Sequence, residues 1–326
     1  MARLPSGVIM STAKKSPSKS PFAPQRLQTL LKKASRQKPV KAAIVHPVSG
    51  AVLQGMMDAV GHGLIEPILV GPEQRIRDAA KKAKINLGTI AVVNAEHSHA
   101  AAEAAVLMAR RSEVDMLIKG SLPTEELLQA ILHRDKGIRT DRRMSHAFVI
   151  DSPAYHKLLV VTDAAINIAP DLAAKRDIVQ NAIDLMRSLG IKKPKVALLS
   201  AVEFVNPNIP STVHAAALCK MADRGQIQGG MLDGPLALDN AISLEAAKAK
   251  GIASPVAGDP DILVVPELES GNMLAKQFHY FSEAQEAGLL LGARVPVVLT
   301  SRSEGTLGRL YSCAIAVLCH RYAHSS

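Results

Sequence analysis

Short apolar runs alternate with stretches of helical periodicity along almost the whole chain, and that alternation limits the fold more than any other feature. Residues 42–45, 67–70, 90–93 and 115–118 are strand candidates. Helical patterns cover 49–61, the stretch from the Gly71-Pro72 break to Ala83, the Ala-rich 97–111, and 124–132. The alternation restarts with strands at 158–161, 195–199, 262–265 and 295–299. Helices are expected at 172–189, 212–224, 240–250, 272–282 and 305–322. Strands separated by helices build βαβ units and a mostly parallel sheet. The strands are apolar throughout rather than alternating, which implies burial on both faces. The chain is therefore read as α/β.

The composition fits that class. Hydrophobic residues make up 48% of 326, but aromatics are 3% and Trp is absent, so the core must be built from Ala, Val, Ile, Leu and Met. This argues against an aromatic-rich β-sandwich and against stacking platforms for single-stranded nucleic acid. The net charge of +10 comes from the first part of the chain. Ten basic residues precede the first acid, Asp58, and removing them leaves 29 basic against 29 acidic residues. No nucleic-acid partner is expected of such a body. Residues 1–38 read as a flexible basic leader with a short helix near 25–35. Cys219, Cys313 and Cys319 have no metal-ligand or CxxC spacing, so neither a disulfide framework nor a metal site is expected, in keeping with a cytoplasmic location. No apolar run reaches about 18 residues, so no membrane span is expected. A Gly-X-Gly-X-X-Gly turn is absent, which lowers the case for a dinucleotide fold.

Several turns sit between a strand end and a helix start, where free N–H groups and the helix dipole favour anions. The richest is Thr300-Ser301-Arg302-Ser303-Glu304. It carries hydroxyls, a guanidinium and a carboxylate that can hold a phosphate, stabilise an oxyanion and move a proton. The plain alternative is that Ser303 caps a helix. Gly120-Ser121-Leu122-Pro123-Thr124 offers a hydroxyl at another helix start, or simply a cap. The segment 133–143 packs five basic groups, Arg134 and Arg143 among them, that can bind phosphate or form a solvated connection. Gly229–Pro235 reads as a turn, with Asp233 and Asp239 nearby. Gly271 permits a ligand to approach the backbone, and Asn272 can donate to it.

Taken in order, Val161-Thr162-Asp163-Ala164-Ala165-Ile166-Asn167, Asp233-Gly234-Pro235-Leu236-Ala237-Leu238-Asp239-Asn240, Pro266-Glu267-Leu268-Glu269-Ser270-Gly271-Asn272 and Leu299-Thr300-Ser301-Arg302 resemble the phosphate acetyl/butyryltransferase family. The likeness runs from about residue 41 to 319. It implies acyl transfer between coenzyme A and inorganic phosphate: acetyl-CoA + phosphate = acetyl phosphate + CoA. Coenzyme A would be a substrate, with no permanently bound cofactor and no metal. It also implies two α/β domains with a cleft between them, similar to isocitrate and isopropylmalate dehydrogenases, and a homodimer. The first domain would comprise 39–150 plus 295–326, and the second 151–294. Ser301 and Arg302 match the family's active-site pair, and Arg143 and, less closely, Arg134 match phosphate-binding arginines. Ser121, Asn272 and Asp233 complete the expected substrate-binding set. The acid that the acetyltransferase branch carries further along the helix falls on Gly308 here, which leaves Glu304 as the nearest base. A longer acyl preference, or a NAD-dependent dehydrogenase on the same architecture, are the alternative readings.

Overall fold

The computed structural model describes residues 23–299 and 305–324. Helix α1 (Gln25–Ala34) precedes β1 (Val40–Val45), α2 (Gly50–Gly61), β2 (Ile65–Gly71), α3 (Glu73–Lys82), β3 (Val92–Asn94), α4 (Ser98–Arg110), β4 (Met116–Lys119) and α5 (Thr124–Leu132). Then follow β5 (Ser145–Asp151), β6 (Leu159–Thr162), α6 (Leu172–Ser188), β7 (Lys195–Leu199), α7 (Pro210–Asp223), β8 (Met231–Leu236), α8 (Leu238–Ile242) and α9 (Leu244–Ala249). The chain ends with β9 (Ile262–Val264), α10 (Leu268–Phe281), β10 (Gln285–Leu291), β11 (Val297–Val298) and α11 (Thr306–Ala323).

All eleven of these strands form one sheet, in the order β3-β2-β1-β4-β11-β10-β5-β6-β9-β7-β8. The α/β halves thus share a sheet rather than each owning one. The first five strands are mutually parallel, and so are the last four. Between them β10 and β5 run antiparallel to their neighbours. This inversion turns the carboxyl ends of the two parallel blocks toward opposite edges of the sheet.

Side chains alternate across the sheet, as strand geometry requires. Ala147 and Val149 on β5, with Ala287 and Leu289 on β10, enter one continuous core beneath α1, α2, α6, α7 and α11. On the other face the apolar residues split into two cores. One lies under α4 and α5, the other under α8, α9 and α10. The gap between these cores is a cleft floored by the middle strands.

Three strands were not legible from apolar runs. β5 reads Ser-His-Ala-Phe-Val-Ile-Asp, and its buried polar residues break the pattern. β10 begins Gln-Glu. β8 contains Gly234-Pro235, which reads as a turn; it lies at the sheet edge and its pairing with β7 shifts register there, which accommodates the proline. The helix expected at 240–250 is two short ones, α8 and α9. The helix near 25–35 forms, but it is not a loose part of a leader. Leu27, Leu30 and Ala34 are buried in the main core. Asp151, fully buried, accepts the backbone N–H groups of Arg26 at 2.9 Å and Leu27 at 3.1 Å, and pairs with the Arg26 guanidinium at 2.6 Å. A carboxylate at a helix N-terminus satisfies donors that the helix itself leaves open. No helix among the described residues is long and apolar enough to cross a membrane.

Candidate active site

The cleft runs along α5 and contains two cavities. A larger one, of about 820 Å³, is lined by Leu132 at the end of α5, by Arg139–Met144, and by 166–171 and the first turns of α6. A smaller one, of about 460 Å³, is lined by Thr124 and Glu125 at the start of α5, by His146, Phe148 and Leu299 on the floor, and by one face of α10. The loop after β6 separates them, with Ala165 in the smaller cavity and Ile166 and Asn167 in the larger.

That loop is fixed by Asp163. Its buried carboxyl accepts the backbone N–H groups of His146 at 3.2 Å, Ala165 at 3.0 Å, Ile166 at 3.1 Å and Asn167 at 3.0 Å, and the Asn167 amide as well. Asn167 also donates to the Met144 carbonyl at 2.8 Å and accepts from Arg143 Nε at 2.7 Å. Asp177 on α6 accepts the Arg143 backbone N–H at 2.9 Å. Arg143 is therefore held at both its main chain and its side chain, and its guanidinium end is carried on an exposed wall of the larger cavity. Arg139 and Arg142 line the same cavity, and Arg142 is paired with Asp184.

Of the expected residues that are described, Arg143 and Asn272 come to the cleft, whereas Arg134, Ser121 and Asp233 line neither cavity. Asn272 lines the smaller cavity and donates to the Ala164 carbonyl at 3.3 Å. Arg134 is exposed in the connection after α5 and lines neither cavity; Arg139 and Arg142 take that place. Ser121 turns away, its hydroxyl donating to Ser49 Oγ at 2.9 Å and its carbonyl bonded to the His46 ring. Asp233 lies on the edge strand β8, where it accepts the Gly234 N–H at 2.8 Å and lines neither cavity. Gly271 gives close approach to protein rather than to ligand. A Cβ there would stand 2.7 Å from Val265 Cγ2 and 2.9 Å from the Asp163 carbonyl, so glycine lets α10 press on the Asp163 loop. Ser301, Arg302 and Glu304 lie outside the described residues; Leu299, just before them, is on the floor of the smaller cavity.

Sequence reasoning passed over His146 and Glu286, both on strands it did not find. Burial pushes the Glu286 carboxyl up to about 7, from an ordinary 4.5. His279 Nδ1 stands 3.3 Å from Glu286 Oε1, out of line for a hydrogen bond. The native state therefore holds this proton more tightly than the unfolded chain does, and stability from this group falls as pH rises from about 4.5 to 7. Glu286→Gln, which stays neutral, is expected to raise the unfolding midpoint at pH 8 and leave it near wild type at pH 4. Midpoints measured at both pH values check this, and a gain independent of pH overturns it. No cysteine is poised as a nucleophile: burial pushes the Cys219, Cys313 and Cys319 thiols up to about 12, 12 and 11.

The sequence pattern of the phosphate acetyl/butaryl transferases matches residues 99–317. The phosphate acetyltransferase of Rhizobium meliloti is 53% identical over 91% of this chain and 94% of its own length. The probable phosphate butyryltransferase of Bacillus subtilis is 40% identical over 92% of this chain and 100% of its own. Among solved structures, the branched-chain phosphotransacylase of Enterococcus faecalis superimposes with a TM-score of 0.75 at 32% identity, covering 86% of this chain and 99% of that one. A phosphotransacetylase of Streptococcus pyogenes, at 20% identity and a TM-score of 0.77 over 93% of this chain and 100% of its own, shares the fold. The α/β sheet, the basic cleft and these likenesses lead to one assignment: the chain belongs to the phosphate acetyl/butyryl transferase family, and it is an acyltransferase.

Proposed function

We propose that the chain interconverts acetyl-CoA and acetyl phosphate, with coenzyme A and inorganic phosphate as the other substrate pair. The observation that carries the acyl choice is the 53% identity to a phosphate acetyltransferase against 40% to the butyryl-transferring relatives. The domain division is proposed as 39–150 plus 295–326 and 151–294, the enzyme as a cytoplasmic homodimer, and coenzyme A as a substrate that leaves after each turnover.

In this reading the reaction is a direct transfer within a ternary complex. A thiol of pKa about 8.5 is mostly protonated at neutral pH, so a base must take its proton; Glu304 is assigned that role. The thiolate adds to the carbonyl carbon of acetyl phosphate. Ser301 and backbone N–H groups stabilise the oxyanion. The C–O bond to phosphate then breaks, the thioester forms, and phosphate leaves with its electron pair. Arg302 and Arg143 neutralise it. Arg143 suits this role because Asn167 and Asp177 fix its position at the cavity wall. Its fork geometry matches two phosphate oxygens at once. With their thiols held in the protonated form, Cys219, Cys313 and Cys319 are poor acyl carriers, which speaks against an acyl-cysteine route.

Phosphate-dependent release of coenzyme A from acetyl-, propionyl- and butyryl-CoA tests the reading. Acetyl-CoA is expected to give the highest kcat/KM. A preference for butyryl-CoA of about tenfold or more, the discrimination that one or two methylenes can supply, overturns the acyl assignment. No phosphorolysis with any of the three overturns the function.

A further inference from the structure

His146 spans two strands. It projects from β5 onto the cleft floor, is 1% exposed, and its Nε2 lies 3.2 Å from the carbonyl oxygen of Leu299, at the end of β11. β5 and β11 are not neighbours, because β10 lies between them. The imidazole crosses β10 at Gly288. A Cβ on Gly288 would sit 3.1 Å from His146 Cε1 and Nε2, and 3.1 Å from the Leu299 carbonyl oxygen. Glycine is thus the residue that leaves room for the crossing.

A carbonyl only accepts, so Nε2 carries the ring proton and donates it. Nδ1 is left bare and has no hydrogen-bond partner among the described residues. Burial holds the imidazole below its ordinary value against the opposing pull of Asp163, so the ring stays neutral at neutral pH. The crossing is also anchored from beneath. The Gly288 N–H donates to Ser312 Oγ at 2.9 Å, and that hydroxyl donates to the Gly308 carbonyl at 2.8 Å in the first turns of α11. The His146 backbone N–H is one of the donors to Asp163, which also fixes Asn167 beside Arg143.

We propose that His146 is a positioning residue for acyl transfer, strapping the end of β11 across Gly288 so that Leu299 is held in place two residues before Ser301. It acts through the Leu299 carbonyl and does not touch substrate. The inference rests on the reading of Ser301 and Arg302 as the reacting pair. Its effect is of the kind in which a displacement of about 1 Å costs roughly 100-fold in rate.

The test uses the full chain, with acetyl phosphate and coenzyme A as substrates, and three readouts: kcat and KM, the unfolding midpoint, and amide hydrogen exchange over 295–299. A glutamine nitrogen lies as many bonds from Cβ as Nε2 does, so His146→Gln can still donate to Leu299; the shorter His146→Asn cannot. His146→Asn is expected to lower kcat about 30-fold or more, with KM for coenzyme A within about threefold, and to speed exchange at 297–299. His146→Gln is expected to return kcat to within about fivefold of wild type. Gly288→Ala should behave like His146→Asn, and the double variant should lose little more than either single one, because both break the same contact. The proposal is overturned if Asn matches wild type, if Gln is no better than Asn, or if the two losses multiply. Should the wild type transfer no acyl group, the reading of the site fails, and the exchange difference between Asn and Gln alone decides the strap.

Discussion

Replacing Asp163 with alanine is expected to lower the unfolding midpoint by several degrees and to cut acyl transfer by more than the loss of folded protein explains. Its two oxygens serve four backbone N–H groups and the Asn167 side chain. His146 and Asn167 are buried, Ile166 is half-buried and Ala165 is exposed, and alanine offers their donors nothing. A buried donor left unpaired costs about 1–3 kcal/mol, and relaxation or water entry recovers part of that for the more open ones. Asp163→Asn keeps one oxygen but turns an amide nitrogen toward donors, so it should fall between alanine and wild type. The functional loss follows from Asn167. Once Asn167 loses its anchor, Arg143 Nε loses the oxygen that orients it, and the guanidinium is free to leave the position proposed for phosphate. Thermal unfolding with kinetics on the folded fraction checks both parts. An alanine variant within about one degree of wild type and with normal turnover sinks the account.

The same loop shows how much could be read from the chain. Val161–Asn167 stood out as a motif, but nothing in its spacing said that Asp163 would be a hub of acceptors rather than a ligand. Apart from the edge strand β8, the parallel blocks were legible because buried parallel strands are apolar throughout. The antiparallel pair β5 and β10 was not, because its cleft-facing positions hold His146, Glu286 and Gly288, and those positions make the cleft. Polar residues placed for a site erase the pattern by which a strand is recognised. Arg143 was found as one of a basic cluster, and only the family resemblance ranked it above Arg134; the physical distinction comes from Asn167 and Asp177, brought in from the other half of the chain. Asp233 attracted notice as one of two acids at a glycine-proline turn. Its place on an edge strand depends on the order in which distant strands pair.

Arg302→Ala is expected to lower kcat by about 100-fold or more while leaving the unfolding midpoint unchanged. The residue lies outside the described residues, so the argument is chemical. In the transfer step negative charge moves from the attacking thiolate to the carbonyl oxygen and then to the departing phosphate. A single arginine at Arg143 can neutralise part of the phosphate in the bound substrate, and this affects ground state and transition state alike. A second guanidinium, next in sequence to the Ser301 hydroxyl, is suited to the charge that grows only as the C–O bond breaks. Losing it should therefore fall on kcat, whereas Arg143→Ala should fall mainly on KM for phosphate or acetyl phosphate. Arg302→Lys discriminates further. It keeps the charge but not the planar fork that grips two oxygens, so it should recover only part of the rate. Turnover of Arg302→Ala within about threefold of wild type would show that Arg302 does not carry the leaving charge, and would shift that role onto the Arg139–Arg143 wall of the larger cavity.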